Sequence, residues 1–341
     1  MRTLSEIKAE AKKQMSICRM CKVCNGEACR GETPGPGGKG SGSTFVRNVN
    51  KWKEIQIHLD AIHEDYEVQT EVSFFGKTLR APIFPAPIGA VTMNYGSAMD
   101  EEEYCNSLAA GCKEAGLLPF FGDGAAAKVF DAPVKAMEQV HGAGVFTIKP
   151  WAAEVAKQKV ERALAAHPAA IAMDVDASGL VHLKHTPTPI TFKTAADLQE
   201  IRSWIPCPFI IKGIMTVEGA QKALEAGADA IVISNHGGRV LDDALSSAEV
   251  LEEIAGFVNK RMKIFVDGGI RSGADVFKAL ALGADGVLIG RPFSHAVFGG
   301  GSEGVQVYAS HIIEELKEVM RLSDCRDIAA ISRNKVKTLE K

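Results

Sequence analysis

KIFVDGGIRSGADVFKALALGADGVLIGRP, residues 263–292, places two short apolar runs, KIFVD (263–267) and GVLIG (286–290), on either side of a segment carrying Ala, Leu and Val at helical spacing. Each run is rich in β-branched or aromatic side chains and apolar at successive positions, as a strand buried on both faces requires. The rhythm extends outward from this unit. PIFPAP (82–87), LLPFF (117–121), GVFTI (144–148), AAIAMDV (169–175), PFIIK (208–212) and AIVIS (230–234) are further runs of the same kind. Helical patterns such as TVEGAQKALEAGA (216–228) lie between them and end in glycine near the next strand. Eight alternations of strand and helix predict an α/β fold, a (β/α)8 TIM barrel. An open doubly wound sheet would show a phosphate fingerprint after its first strand, and PAPIGAVTMNYG (85–96) has no G-x-G-x-x-G.

In a barrel the active site forms at the C-terminal ends of the strands, so the residues closing each run are the candidates. The fifth run ends in Lys212, the sixth in Ser234-Asn235-His236-Gly237-Gly238-Arg239, the seventh in Asp267-Gly268-Gly269-Ile270-Arg271 and the eighth in Gly290-Arg291-Pro292. Four consecutive strands thus point cationic or titratable groups at one mouth. The glycine-lined turns after strands seven and eight precede helix starts whose free N–H groups suit a phosphate. His236, with an ordinary imidazole pKa of ~6.5, suits a base at neutral pH. Arg239, three residues on, offers a two-pronged fork to a carboxylate. Together they describe a substrate with a carboxylate and an adjacent carbon from which a proton or hydride leaves, with Lys212 stabilising charge that builds on a cofactor.

IIKGIMT (210–216), ISNHGGRVLDD (233–243) and FVDGGIRSGADVFKALALGADGVLIGRPF (265–293) closely resemble the FMN-dependent 2-hydroxy acid oxidases and dehydrogenases, such as glycolate oxidase, lactate oxidase and mandelate dehydrogenase. The match is dense over 208–293 and looser but collinear from about 45 to the end. The resemblance implies FMN as cofactor, a small 2-hydroxy acid as substrate and a homo-oligomer, with tetramers common in the family. It implies that Lys212 contacts the flavin, that His236 is the catalytic base and that Arg239 pairs with the substrate carboxylate. Asp267 would orient the region around His236, and Gly268, Gly269, Arg271, Gly290 and Arg291 would hold the FMN phosphate. Ala86, Pro87 and Ile88 would lie against the flavin. Lys149, Asp174 and Ser234 close strands three, four and six and would face the ring or substrate.

The first half departs from the family. TIKPW (147–151) has Lys149 where the family carries an aromatic hydroxyl, and MDVDASGLVHLKHTPTPI (173–190) lacks the family's second carboxylate-binding arginine. Its loss removes on the order of 1.5–3 kcal/mol of charge-assisted hydrogen bonding, and His182, Lys184 and His185 are the candidate replacements. An alternative on the same barrel is an FMN-dependent isomerase or reductase related to type 2 isopentenyl diphosphate isomerase; retention of both His236 and Arg239 favours oxidation.

The remaining 80 residues precede the barrel, assigned to 81–341. MRTLSEIKAEAKKQM (1–15) reads as a charged amphipathic helix without a signal-peptide core, and RGETPGPGGKGSGST (30–44) is too rich in Gly, Pro and Ser for a helix or central strand. Between them CRMCKVCNGEAC places Cys18, Cys21, Cys24 and Cys29 at C-x2-C-x2-C-x4-C, spacing close to iron–sulfur and zinc sites. Cys105, Cys112, Cys207 and Cys325 are dispersed. An iron–sulfur cluster would give the reduced flavin an electron exit to an acceptor protein, making the enzyme a dehydrogenase. The formal charge of −3, with both signs scattered, argues against nucleic acid and anionic membrane partners. No segment offers the ~18 uncharged apolar residues of a membrane span, which predicts a cytoplasmic protein.

Overall fold

The computed structural model describes residues 2–183, 186–187 and 190–339. The eight apolar runs become β1 (Ile83–Pro85), β2 (Phe120–Phe121), β3 (Val145–Ile148), β4 (Ala170–Asp174), β5 (Phe209–Ile214), β6 (Ala230–Ile233), β7 (Lys263–Val266) and β8 (Gly286–Ile289). They form one eight-stranded sheet in the order β1-β8-β7-β6-β5-β4-β3-β2. Every neighbouring pair is parallel. The sheet is a nearly closed (β/α)8-like barrel, as the alternation predicts. Register brings Asp174 on β4 opposite Lys212 on β5, so the chemistry-bearing strand ends sit level with one another.

Inside the barrel, Phe84, Phe120 and Phe265 meet edge to face, with centroids 5.1 Å apart for Phe84 and Phe265 and 5.7 Å for Phe84 and Phe120. Phe74, from the antiparallel hairpin of Val72–Phe74 and Lys77–Leu79, packs at a tilt against Phe265, with centroids 5.3 Å apart. The hairpin therefore plugs the end of the barrel where the strands begin and leaves the opposite mouth for ligands. Such aromatic packing adds about 0.5–1.5 kcal/mol per pair beyond burial.

The N-terminal 80 residues pack on the barrel. Helix α1 (Leu4–Gln14) opens on a capping box between Thr3 and Glu6 and lies against the last long helix, Arg291–Arg321, so closely that a Cβ on Gly299 would stand 2.0 Å from the Ile7 carbonyl. Helix α2 (Ser43–Lys51) crosses beside the mouth. Residues 30–44 form no helix or strand before α2, in line with their composition, but they are not an exposed spacer: residues 35–38 are buried. Among the described residues no helix is long and apolar enough to cross a membrane.

The turn after β1 leads into α3 (Val91–Tyr95) and α4 (Glu101–Ala115). Buried Glu101 accepts the backbone N–H groups of Ala90, at 3.0 Å, and Val91, at 2.9 Å. Burial outweighs those two bonds and raises its carboxyl to about 7. The folded protein thus holds a proton that the unfolded chain releases near 4.5. The stability this lends is full below the unfolded value and is lost as pH rises toward 7, on the order of 3 kcal/mol in all. Glu101→Gln is expected to flatten that part of the stability–pH profile in urea titrations between pH 5 and 7.5. An unchanged slope would contradict the assignment.

Candidate active site

At the mouth, Lys149, Lys212 and His236 each meet a polar partner from another strand end. Lys149, after β3, donates to Asp174 Oδ2 at 2.6 Å. Lys212 Nζ donates to Ser234 Oγ at 2.9 Å and lies 3.5 Å from Asp267 Oδ2. Burial works against its ammonium, but Asp267, Asp176 and Asp174 outweigh it and hold Lys212 above its ordinary value. His236 N–H donates to Ser234 Oγ at 3.1 Å, and its Nδ1 lies 3.1 Å from Asp176 Oδ1. His236 has φ 58°, a left-handed conformation followed by two glycines that sets the ring toward β4.

His236 departs from the ordinary imidazole that the sequence suggests. Its side chain is only 15% exposed. Burial, then the nearby ammonium groups of Lys212 and Lys149, pushes its pKa well below the ordinary value. The imidazole is therefore neutral at neutral pH. With Asp176 Oδ1 as the acceptor of Nδ1–H, the tautomer that this contact suits keeps the lone pair on Nε2. Asp176 itself is raised by burial, with Lys212 and Lys149 opposing. Its close approach depends on Gly213 in the β5 bulge: with φ 102° there, a Cβ would stand 2.7 Å from Asp176 Cβ.

A cavity of about 330 Å³ opens onto this cluster, within the range of small-ligand sites. Of the residues expected there, Ala86, Pro87, Ile88, Lys149, Lys212, His236, Arg239, Asp267, Gly268, Gly269, Arg271, Gly290 and Arg291 line it. Asp174 and Ser234 stand behind, bonded to Lys149 and Lys212. Four buried oxygens near these strand ends have no partner: Thr147 Oγ1, Asp174 Oδ1, Asp176 Oδ2 and Asp267 Oδ1. Buried acceptors of this kind are costly unless a ligand or water completes them.

The three arginines are held by neutral acceptors, all but one of those named here from the N-terminal segment. Arg239 Nη1 donates to the carbonyls of Gly35, at 2.5 Å, and Gly37, at 3.1 Å, and its Nη2 to Asn94 Oδ1 at 2.9 Å. Arg291 donates through Nε to the Pro36 carbonyl at 2.8 Å and stacks 3.8 Å over the Phe45 ring. Arg271 donates to the Cys24 carbonyl at 2.9 Å. Gly269 is where α2 comes closest: a Cβ there would lie 2.0 Å from the Asn48 carbonyl.

The metal centre expected at Cys18, Cys21, Cys24 and Cys29 is not assembled. Cys18 Sγ faces His295 Nε2 at 3.6 Å, Cys24 Sγ faces Arg271 Nη2 at 3.8 Å, Cys29 Sγ faces the Gly26 carbonyl at 3.9 Å, and Cys21 is exposed. Burial also raises the Cys18 and Cys29 thiols, which disfavours the thiolates that bind metal. Among the described residues the grouping with metal-ligand geometry is instead Asp174, Asp176 and His236, whose ligand atoms lie within 4.8 Å of one another; Lys149 already pairs with Asp174 there. Lys184, His185 and the His182 side chain lie outside the described residues.

Sequence reasoning missed Asp176, Asp123 and Asn94. Asp123 accepts from Lys149 N–H (3.1 Å), Trp151 Nε1 (2.6 Å) and Lys159 Nζ (2.6 Å) and so fixes the backbone that presents Lys149. Asp123 and Asp176 each lie two residues beyond a strand, β2 and β4, so the strand-end rule could have nominated them, but only the folded contacts show what either does.

The family model for FMN-dependent dehydrogenases matches residues 36–186 and 185–338. The chain is 29% identical to 2-hydroxyacid oxidase 2 of Mus musculus, covering 96% of each protein. It is 32% identical to an L-lactate oxidase of Lactobacillus jensenii, over 84% of this chain and 76% of that one. A peroxisomal (S)-2-hydroxyacid oxidase of Arabidopsis thaliana is 46% identical over 142 residues, and that match spans 42% of this chain and 39% of the relative. The crystal structure of mandelate oxidase superposes with a TM-score of 0.81 at 26% identity, covering 99% of each chain. The chain belongs to the FMN-dependent dehydrogenase family.

Proposed function

We propose that the chain oxidises a small 2-hydroxy acid to the 2-oxo acid with FMN. The observation that carries this reading is the neutral His236, held at Nδ1 by Asp176, with Arg239 three residues on and both lining one cavity. The site's polar groups fit the cofactor: the unpartnered oxygens of Thr147 and Asp267 and the Lys212 ammonium suit the polar edge of a flavin, and the charge of Arg271 and Arg291 beside the glycine turns suits its phosphate. FMN, when bound, accepts the two electrons that leave C2 of the substrate.

The chain's own residues do the rest. Arg239 takes the substrate carboxylate and so fixes where C2 and its hydroxyl stand. His236 Nε2 accepts a proton from the reacting centre, and Asp176 steadies the imidazolium that results. Lys212, charged and buried, stabilises negative charge developing at the far side of the site. Lys149, paired with Asp174, adds a second ammonium to the mouth where the expected arginine is missing. The resemblance to the family also supports a homo-oligomer, and either oxygen or an acceptor protein as the final oxidant.

A single turnover tests the reading. Anaerobic holoenzyme mixed with excess 2-hydroxy acid should yield one equivalent of 2-oxo acid per FMN, and readmitted oxygen should restore the flavin quickly in an oxidase and slowly in a dehydrogenase. Turnover of a ligand with no net redox change would place the chain with the isomerases instead.

A further inference from the structure

Arg239 is half-buried, facing the cavity on one side and neutral acceptors on the other. Its partners are two backbone carbonyls and a carboxamide, and no carboxylate pairs with it among the described residues. Burial and the neighbouring Arg291 lower its pKa to about 10, so it stays charged at neutral pH. A desolvated cation without a counter-charge is costly, and an anionic ligand relieves that cost.

The donors already in use limit how such an anion can bind. A guanidinium carries five N–H groups, and the carbonyls of Gly35 and Gly37 with Asn94 Oδ1 take three of them. What remains is Nε–H and one Nη2–H. Asn94 is itself fixed: it is 8% exposed, and its Nδ2 donates to the Gly89 carbonyl at 3.0 Å, which turns its oxygen toward Arg239. Gly89 in turn precedes the Ala90–Val91 turn held by Glu101.

We propose that Asn94 is a positioning residue for substrate recognition: together with the Gly35 and Gly37 carbonyls it turns Arg239 so that one two-donor edge, Nε–H and Nη2–H, faces the cavity and takes a single carboxylate side-on. The inference rests on the reading of Arg239 as the carboxylate site and adds what orients it. It makes recognition of a substrate carboxylate depend on an arginine whose other donors are occupied by the protein.

Binding to the FMN holoenzyme, read from the perturbation of flavin absorbance without turnover, tests it. The probes are pyruvate and its neutral methyl ester. Wild-type protein should bind pyruvate far more tightly than the ester. Asn94→Ala should reduce that preference at least about tenfold by weakening pyruvate and leaving the ester unchanged, the scale expected for a misaligned charge-assisted pair. Asn94→Asp, isosteric and able to fold where alanine fails, should abolish the preference because its carboxylate occupies Arg239. Either variant folded, FMN-loaded and keeping the wild-type ratio overturns the role of Asn94 alone. A wild type that binds acid and ester equally overturns Arg239 as the carboxylate site and the inference with it.

Discussion

Replacing His236 with alanine is expected to leave FMN bound and to slow flavin reduction by a 2-hydroxy acid by about 10²–10⁴-fold, the usual contribution of a positioned base. Among the described residues the ring's charged hydrogen-bond partner is Asp176, at 3.1 Å from Nδ1, and the backbone N–H of His236 is fixed on Ser234, so loss of the ring removes the proton acceptor without disturbing the glycine turns at the phosphate end. The pH dependence follows from the sign of its shift. Because burial and Lys212 lower the His236 pKa, the basic form is already complete at neutral pH, and reduction should stay level as pH falls through ~6.5, where an ordinary imidazole would begin to be lost. Anaerobic stopped-flow measurements of flavin bleaching check both points. Wild-type rates in the alanine variant, or a rate that halves near pH 6.5, would refute the assignment.

Lys212→Met is expected to destabilise the protein by about 3–5 kcal/mol, because removing one partner of a buried pair strands the other charge. Lys212 is 3% exposed and offsets Asp267, with Asp176 and Asp174 also within its field. Methionine matches its shape, so the cost reports charge rather than a void. Guanidinium unfolding of the FMN-free protein measures the change, and a loss below ~1 kcal/mol would mean that the carboxylates are protonated or solvated without the lysine.

The strands were legible because burial on both faces writes itself into consecutive apolar positions: each of β1 to β8 coincides with an apolar run. The polar residues at the ends of β5 to β8 were legible for the related reason that the fold dictates where such residues point. Asp176 was harder, since it lies two residues beyond the end of β4 and gains meaning only through Gly213 and His236, both distant in sequence. Nothing local in PGPGG shows that the carbonyls of residues 35–37 will be buried on Arg239 and Arg291. The cysteines show the opposite failure. Their spacing is a local signal, but His295, Arg271 and the Gly26 carbonyl, two of them more than two hundred residues away, turn the thiols apart.

The most direct measurement is anaerobic mixing of the FMN holoenzyme with a panel of (S)-2-hydroxy acids, each unlabelled and deuterated at C2, followed by flavin absorbance. Full bleaching by at least one acid is expected, with a slower rate for the C2-deuterated form and no bleaching by the corresponding neutral ester. A flavin left oxidised by every acid in the panel would contradict the proposed oxidation.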